Sequence, residues 1–157
     1  LAESKLWLTS SDNKEMFIKL SSGDSVFNQP EGNLGEKMLF AIAQTLNLPN
    51  MNAAIVVGCD CPSINKDYLN TALLHLDQGV KLVLGPAEDG GYVLIGMNAV
   101  YPEIFEGISW GSTEVFSQTV KNAEALGISY VSLDPLWDVD RPEDLPRLEE
   151  LVPPLDW

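Results

Sequence analysis

Apolar positions along the chain follow two rhythms that keep replacing one another. Lys5 to Thr9 and Ser25 to Asn28 read as short strands around a short helix, Asn13 to Leu20. Leu34, Met38, Ile42 and Leu46 fall four apart, and Leu39 and Ala43 widen the stripe, which predicts a helix over Leu34 to Leu46. Asn47 and Pro49 end it. Ala53 to Val57 is continuously apolar, as in a strand buried on both faces of a parallel sheet. Asn65 caps a predicted helix running to about Leu76, with Leu69, Leu73 and Leu76 on one face. Leu82 to Leu84 and Tyr92 to Met97 are predicted strands. A helix fits Thr113 to Leu126, with Ser112 as cap and Gly127 as stop, followed by a strand from Ile128 to Leu133. A last helix is predicted over Pro142 to Leu151. This alternation predicts one α/β domain over residues 1–157, its sheet mostly parallel with an antiparallel excursion near residues 82 to 97.

Composition narrows the functional classes. The 157 residues are 45% hydrophobic and 20% charged, ordinary for a globular domain. Wholly apolar runs such as Ala53 to Val57 are far too short for a membrane span. Twenty-three acids against nine bases give a net charge of −14, which repels nucleic-acid backbones and anionic lipid. The excess is uneven: −4 up to Gln78 and −10 beyond it. A chain this acidic needs a divalent cation as go-between to hold a phosphorylated ligand. Cys59 and Cys61, one residue apart, make neither a disulfide framework nor, with the distant His75, a zinc site, so a reducing cytoplasm is expected. His75 reads as a surface or interface residue, and the four tryptophans as packing.

Neither a P-loop nor a glycine-rich dinucleotide motif is present. Three acidic turns adjoin apolar strands instead, and ligands of open α/β sheets bind outside the carboxyl ends of strands. In Val56–Pro62, the strand delivers Asp60 to the sheet edge, Gly58 leaves space and Pro62 turns the chain. Asp60 can hold Mg²⁺ or Mn²⁺ there, or simply start a turn. In Gly85–Tyr92, Asp89-Gly90 is a hairpin signal, yet the loop is longer than a hairpin needs, and Gly90 and Gly91 allow close approach to a sugar or phosphate. In Asp138–Leu145, Asp140 with Glu143 fits a helix cap, and Asp138 with Asp140 fits a metal ligand pair. Lys37 could reach a phosphate if its helix starts at the strand ends, and Trp110 precedes a helix start near the same place.

In order, Gly32–Met38, Val57–Pro62, Leu84–Tyr92, Trp110–Thr113 and Asp138–Leu145 resemble a bacterial family, the glycosyltransferase A-like, selenodomain-associated transferases. The resemblance runs from about Leu6 to Leu148. It implies the GT-A nucleotide-diphospho-sugar transferase fold: an open, mostly parallel sheet with helices on both faces. It further implies Mg²⁺ or Mn²⁺ held by Asp60 and Asp140 with Asp138 in support, and Asp89 as catalytic base for an acceptor hydroxyl. Gly90, Gly91, Tyr92, Lys37 and Trp110 would line the substrate, a nucleotide-sugar or nucleotide. A glycosyltransferase is the first expectation, a nucleotidyltransferase forming an activated sugar or cofactor the second, and an inactive remnant acting in binding or assembly the third.

Two departures from the family stand out. Arg141 replaces a usual Thr that would cap the last helix, so Asp140 can be drawn into capping. The family's opening strand, basic loop and helix, roughly 30 or more residues, have no counterpart here. That strand lies mid-sheet, so without it two neighbours keep open edges, which predicts a homodimer or a repacked sheet.

Overall fold

The computed structural model describes residues 5–8, 14–20 and 25–151. The chain runs β1 (Lys5–Leu8), α1 (Lys14–Leu20), β2 (Ser25–Asn28), α2 (Leu34–Leu46), β3 (Ala54–Val57), α3 (Lys66–Asp77), β4 (Leu82–Pro86), β5 (Tyr92–Met97), α4 (Val115–Ala125) and β6 (Tyr130–Ser132). Short 3₁₀ segments, Pro102–Phe105 and Pro142–Glu150, precede α4 and follow β6. The predicted ends at Thr9 and Asn13 lie outside the described residues.

The main sheet has the order β3-β5-β4-β6. β5 is antiparallel to both β3 and β4, and β6 is parallel to β4, so three strands share one direction around a reversed β5. This is the expected antiparallel excursion. Strand alternation buries both faces. Leu82, Leu84, Ile95 and Met97 point into a cluster with Met38 and Ile42 of α2 and Ala123 of α4. Val83 and Leu94 point the other way, onto Ala72 and Leu76 of α3. Helices therefore cover both faces, as the α/β reading requires.

β1 and β2 pair in parallel as a separate two-stranded sheet. Trp7 stacks on Phe27 at 5.1 Å and meets Phe40 of α2 edge-on at 5.6 Å, so aromatic contacts dock this small sheet against α2. Among the described residues, β3 has a strand neighbour on one edge only. The described strands thus form two separate sheets.

Two helical segments differ from expectation. α4 starts at Val115, not Thr113, and no side chain caps it; the Ser112 hydroxyl instead accepts from the Glu114 amide at 3.3 Å in the preceding turn. The last segment is 3₁₀ rather than α, because Pro146 inside it donates no backbone hydrogen bond.

α2 has an unexpected start. Asn33 Oδ1 accepts from the Glu36 amide at 3.0 Å, and the Glu36 carboxylate accepts from the Asn33 amide at 2.7 Å, a complete capping box. Asn33→Ala should cost about 1 kcal/mol, lowering the melting temperature by about 2–4 °C. An unchanged thermal melt would show that the cap is idle.

Candidate metal and phosphate site

The five acidic or glycine-rich segments come together at one end of the sheet. At the end of β4 the ladder slips by one residue between Gly85 and Pro86, and the chain leaves as a tight loop. The Ala87 amide donates to the Gly91 carbonyl at 3.1 Å, and the Gly90 amide to the Ala87 carbonyl at 3.2 Å. Asp89 turns back inside this loop and accepts from the Gly91 amide at 2.8 Å. Gly90 has φ +95°, and a Cβ there would run into the Thr113 carbonyl. Its own carbonyl accepts from Phe116 at 2.9 Å, joining the loop to the start of α4.

The segment after β6 runs alongside this loop. Leu136 donates to the Pro86 carbonyl at 2.9 Å, and Glu88 donates to the Leu136 carbonyl at 3.0 Å. Three residues on, the Val139 amide donates to the Asp60 carbonyl at 2.8 Å, fastening the turn after β3 to the same place. α2 reaches the site from its first turn, where Gly35 lies so close to the Trp110 ring that a Cβ would overlap it. Trp110 in turn stacks on Phe105 and meets Tyr92 edge-on at 6.5 Å.

This arrangement gathers Asp89, Asp138 and Asp140, one carboxylate oxygen of each lying within 4.8 Å of the others. At that spacing each pair repels by roughly 1 to 3.5 kcal/mol, for effective dielectrics between 80 and 20. Asp138, the half-buried member, shows the strain. Its carboxyl is pushed above the usual aspartate range, first by burial and then by the charge of Asp89, with smaller contributions from Asp140 and Asp60. A backbone hydrogen bond opposes the shift. An all-oxygen, anionic donor set of this kind suits a hard divalent cation rather than zinc or copper.

Each expected site residue can now be located. Asp89, Asp138 and Asp140 are brought together. Asp60 is close enough to raise the Asp138 carboxyl, but its own side chain folds back over Gly58. Asp140 is not drawn into capping. Asp144 does that work, accepting from the Asp140 and Arg141 amides at 3.1 and 2.9 Å. Gly90 and Gly91 shape the Asp89 loop. Tyr92 packs inward; its hydroxyl is buried beside Thr119 without a well-formed hydrogen bond, and burial pushes its pKa up. Lys37 sits in the first turn of α2, half-buried, with its amide bonded to the Asn33 carbonyl.

Sequence reasoning missed three residues at this site. Arg147 makes a two-pronged ion pair with Glu88, at 2.8 and 3.0 Å, and lies over the Trp137 ring at 4.5 Å. The hydrogen bond and charge of Arg147 hold the Glu88 carboxyl below its usual range. His75 stays apart from the aspartates, in a recess of about 270 Å³ shared with Tyr68, Thr71 and Ser132. Cys59 and Cys61 are unpaired thiols, exposed and buried respectively. Among the described residues, no helix is long and apolar enough to cross a membrane.

Comparison with known proteins puts this geometry in context. No curated protein matches the sequence significantly. Among solved structures, the chain is similar to a "putative nucleotide-diphospho-sugar transferase" from Desulfovibrio desulfuricans G20, with 28% identity and a TM-score of 0.84. The match takes in 94% of this chain and 65% of that protein, so the chain spans just under two-thirds of its relative's length. The α/β architecture expected from the sequence is the one found in that nucleotide-diphospho-sugar transferase fold. A family match covers residues 1–112, well over half of the sequence, and by it the chain belongs to the bacterial family described as "uncharacterized protein conserved in bacteria (DUF2064)".

Proposed function

We propose that this chain is a single transferase domain that takes a nucleotide-activated sugar as donor and needs Mg²⁺ or Mn²⁺ to hold the donor's diphosphate. The observation that carries the reading is the meeting of Asp89, Asp138 and Asp140 at one end of a sheet whose fold matches the Desulfovibrio protein. Asp89, Asp138 and Asp140 would hold the ion, with Asp60 beside them. Once bound, the ion would neutralise the diphosphate and stabilise it as a leaving group.

The chain's own residues account for the rest. The three carboxylates repel one another when bare, so the site is poised to take up positive charge. The Asp89 loop, made rigid by Gly90 against Thr113, presents the backbone of Gly90 and Gly91 next to the cluster. Lys37 and Trp110, on the two sides of the Gly35 contact, are the proposed donor contacts at the start of α2. In a chain with net charge −14, direct binding of a diphosphate is unfavourable, and this is why the cation is assigned the bridging part.

Calorimetric titration of UDP, GDP, CDP and ADP, with and without Mn²⁺, tests the reading. One nucleotide should bind with Mn²⁺ and not without it, and Asp140→Asn should abolish that binding. Binding that ignores the cation, or no binding by any of the four, overturns the proposal and leaves a protein that keeps the fold without a donor site.

A further inference from the structure

We propose that Arg147 is a positioning residue for the Asp89–Asp138–Asp140 cluster, clasping together the two chain segments that carry it. The inference rests on the metal reading above. It starts from a difficulty in that reading, because three carboxylates within 4.8 Å push apart the segments that bear them. Backbone hydrogen bonds join these segments at Leu136, and Val139 is tied to Asp60 rather than to the Asp89 loop. One of the bonds at Leu136 comes from the Glu88 amide, and beyond it a side-chain contact would add hold on the Asp138 side where the repulsion acts.

Arg147 makes such a contact. Its guanidinium grips both oxygens of Glu88, the chain neighbour of Asp89. The same group covers the ring of Trp137, the chain neighbour of Asp138. One side chain thus touches the residue next to two of the three aspartates, each on a different segment. The planar fork and flat face of an arginine make both contacts at once, which a lysine ammonium cannot do. The grip also occupies Glu88, so this fourth carboxylate stays out of the ligand set.

The sign of one substitution separates positioning from plain electrostatics. If Arg147 acted only as a nearby positive charge, Arg147→Ala would strengthen cation binding, and Arg147→Lys would leave it unchanged. As a clasp, its loss lets the cluster spread, so both variants should bind more weakly. Titration of Mn²⁺, followed by the loss of its free paramagnetic resonance signal, reads this directly. Arg147→Ala should weaken Mn²⁺ binding about tenfold, the scale of effect known for groups that orient metal ligands, and Arg147→Lys should fail to restore it. Near-ultraviolet circular dichroism checks that each variant is folded, and if Arg147→Ala is not, Arg147→Lys decides the matter alone. Unchanged or tighter binding by the folded variants, with wild-type protein binding Mn²⁺, overturns the clasp and spares the metal reading. Wild-type protein that binds no Mn²⁺ overturns the metal reading, and the clasp falls with it.

Discussion

Asp138→Asn should make the metal-free protein more heat-stable at neutral pH while weakening its divalent-cation binding on the order of 100-fold, the upper end of the range seen for groups supporting a metal. Both effects come from the same feature. Burial and the Asp89 charge raise the Asp138 carboxyl above the value it has in the unfolded chain. Between those two values the folded protein binds more protons than the unfolded one, so stability falls as pH rises through that window. Above it, the charged Asp138 is a standing cost, which asparagine removes. The gain in melting temperature should therefore be largest at neutral pH and vanish below about pH 4, where the carboxyl is protonated in both states. Added Mn²⁺ should reverse the order, raising the melting temperature of the wild-type protein but not of the variant. A variant that melts lower at neutral pH, or that binds Mn²⁺ as the wild type does, contradicts this account.

Gly90→Ala should do the opposite to stability. Its φ of +95° already disfavours any residue with a Cβ, by about 1–2 kcal/mol. The added methyl would also meet the Thr113 carbonyl, which belongs to the backbone and cannot swing away. Together these should cost roughly 3 kcal/mol or more, in the range reserved for strained or overpacked positions. The loop carrying Asp89 must then shift, so cation binding should weaken in the same variant. Chemical denaturation measures the first effect and Mn²⁺ titration the second. A loss under about 1 kcal/mol, within the ordinary spread of substitutions, would mean that the loop relaxes freely and that Asp89 is not held where the site needs it.

The sequence carried a good part of this architecture, and the failures have physical causes. The four-residue spacing in α2 identified Met38 and Ile42, which are 8% and 0% exposed. Leu34 belongs to the same stripe but is 54% exposed, because its turn meets Trp110 through Gly35. The apolar run at β3 was legible as a strand, but it is not buried on both faces of a parallel sheet: it ends the four-stranded order, antiparallel to β5, with Val57 44% exposed, a place that no local pattern encodes. The tail showed helical spacing, and only Pro146 signals that it is 3₁₀.

At the site, Asp-Gly announced a turn and so located Asp89, yet spacing could not tell that Asp138 and Asp140 would lie beside it. The capping pattern paired Asp140 with Glu143, whereas in the structure Asp144 accepts from the Asp140 and Arg141 amides. The Arg147–Glu88 pair spans 59 residues and has no signature in either segment. Charge alone pointed to an acidic surface; the three acidic turns marked the aspartates, and the fold supplied their company.

The bond from Val139 to Asp60 links residues 79 apart, and through it the site depends on the whole sheet between them. Closing so long a loop is entropically unfavourable until other contacts have shortened it. The β4–β5 hairpin can form from neighbours in sequence, and β6 joins it across α4. Only then do Asp138 and Asp140 arrive opposite Asp89. A cation bound among the carboxylates would tie the β4–β5 loop to the segment after β6, which is itself fastened to the turn after β3, and would so oppose any separation of these three stretches of chain.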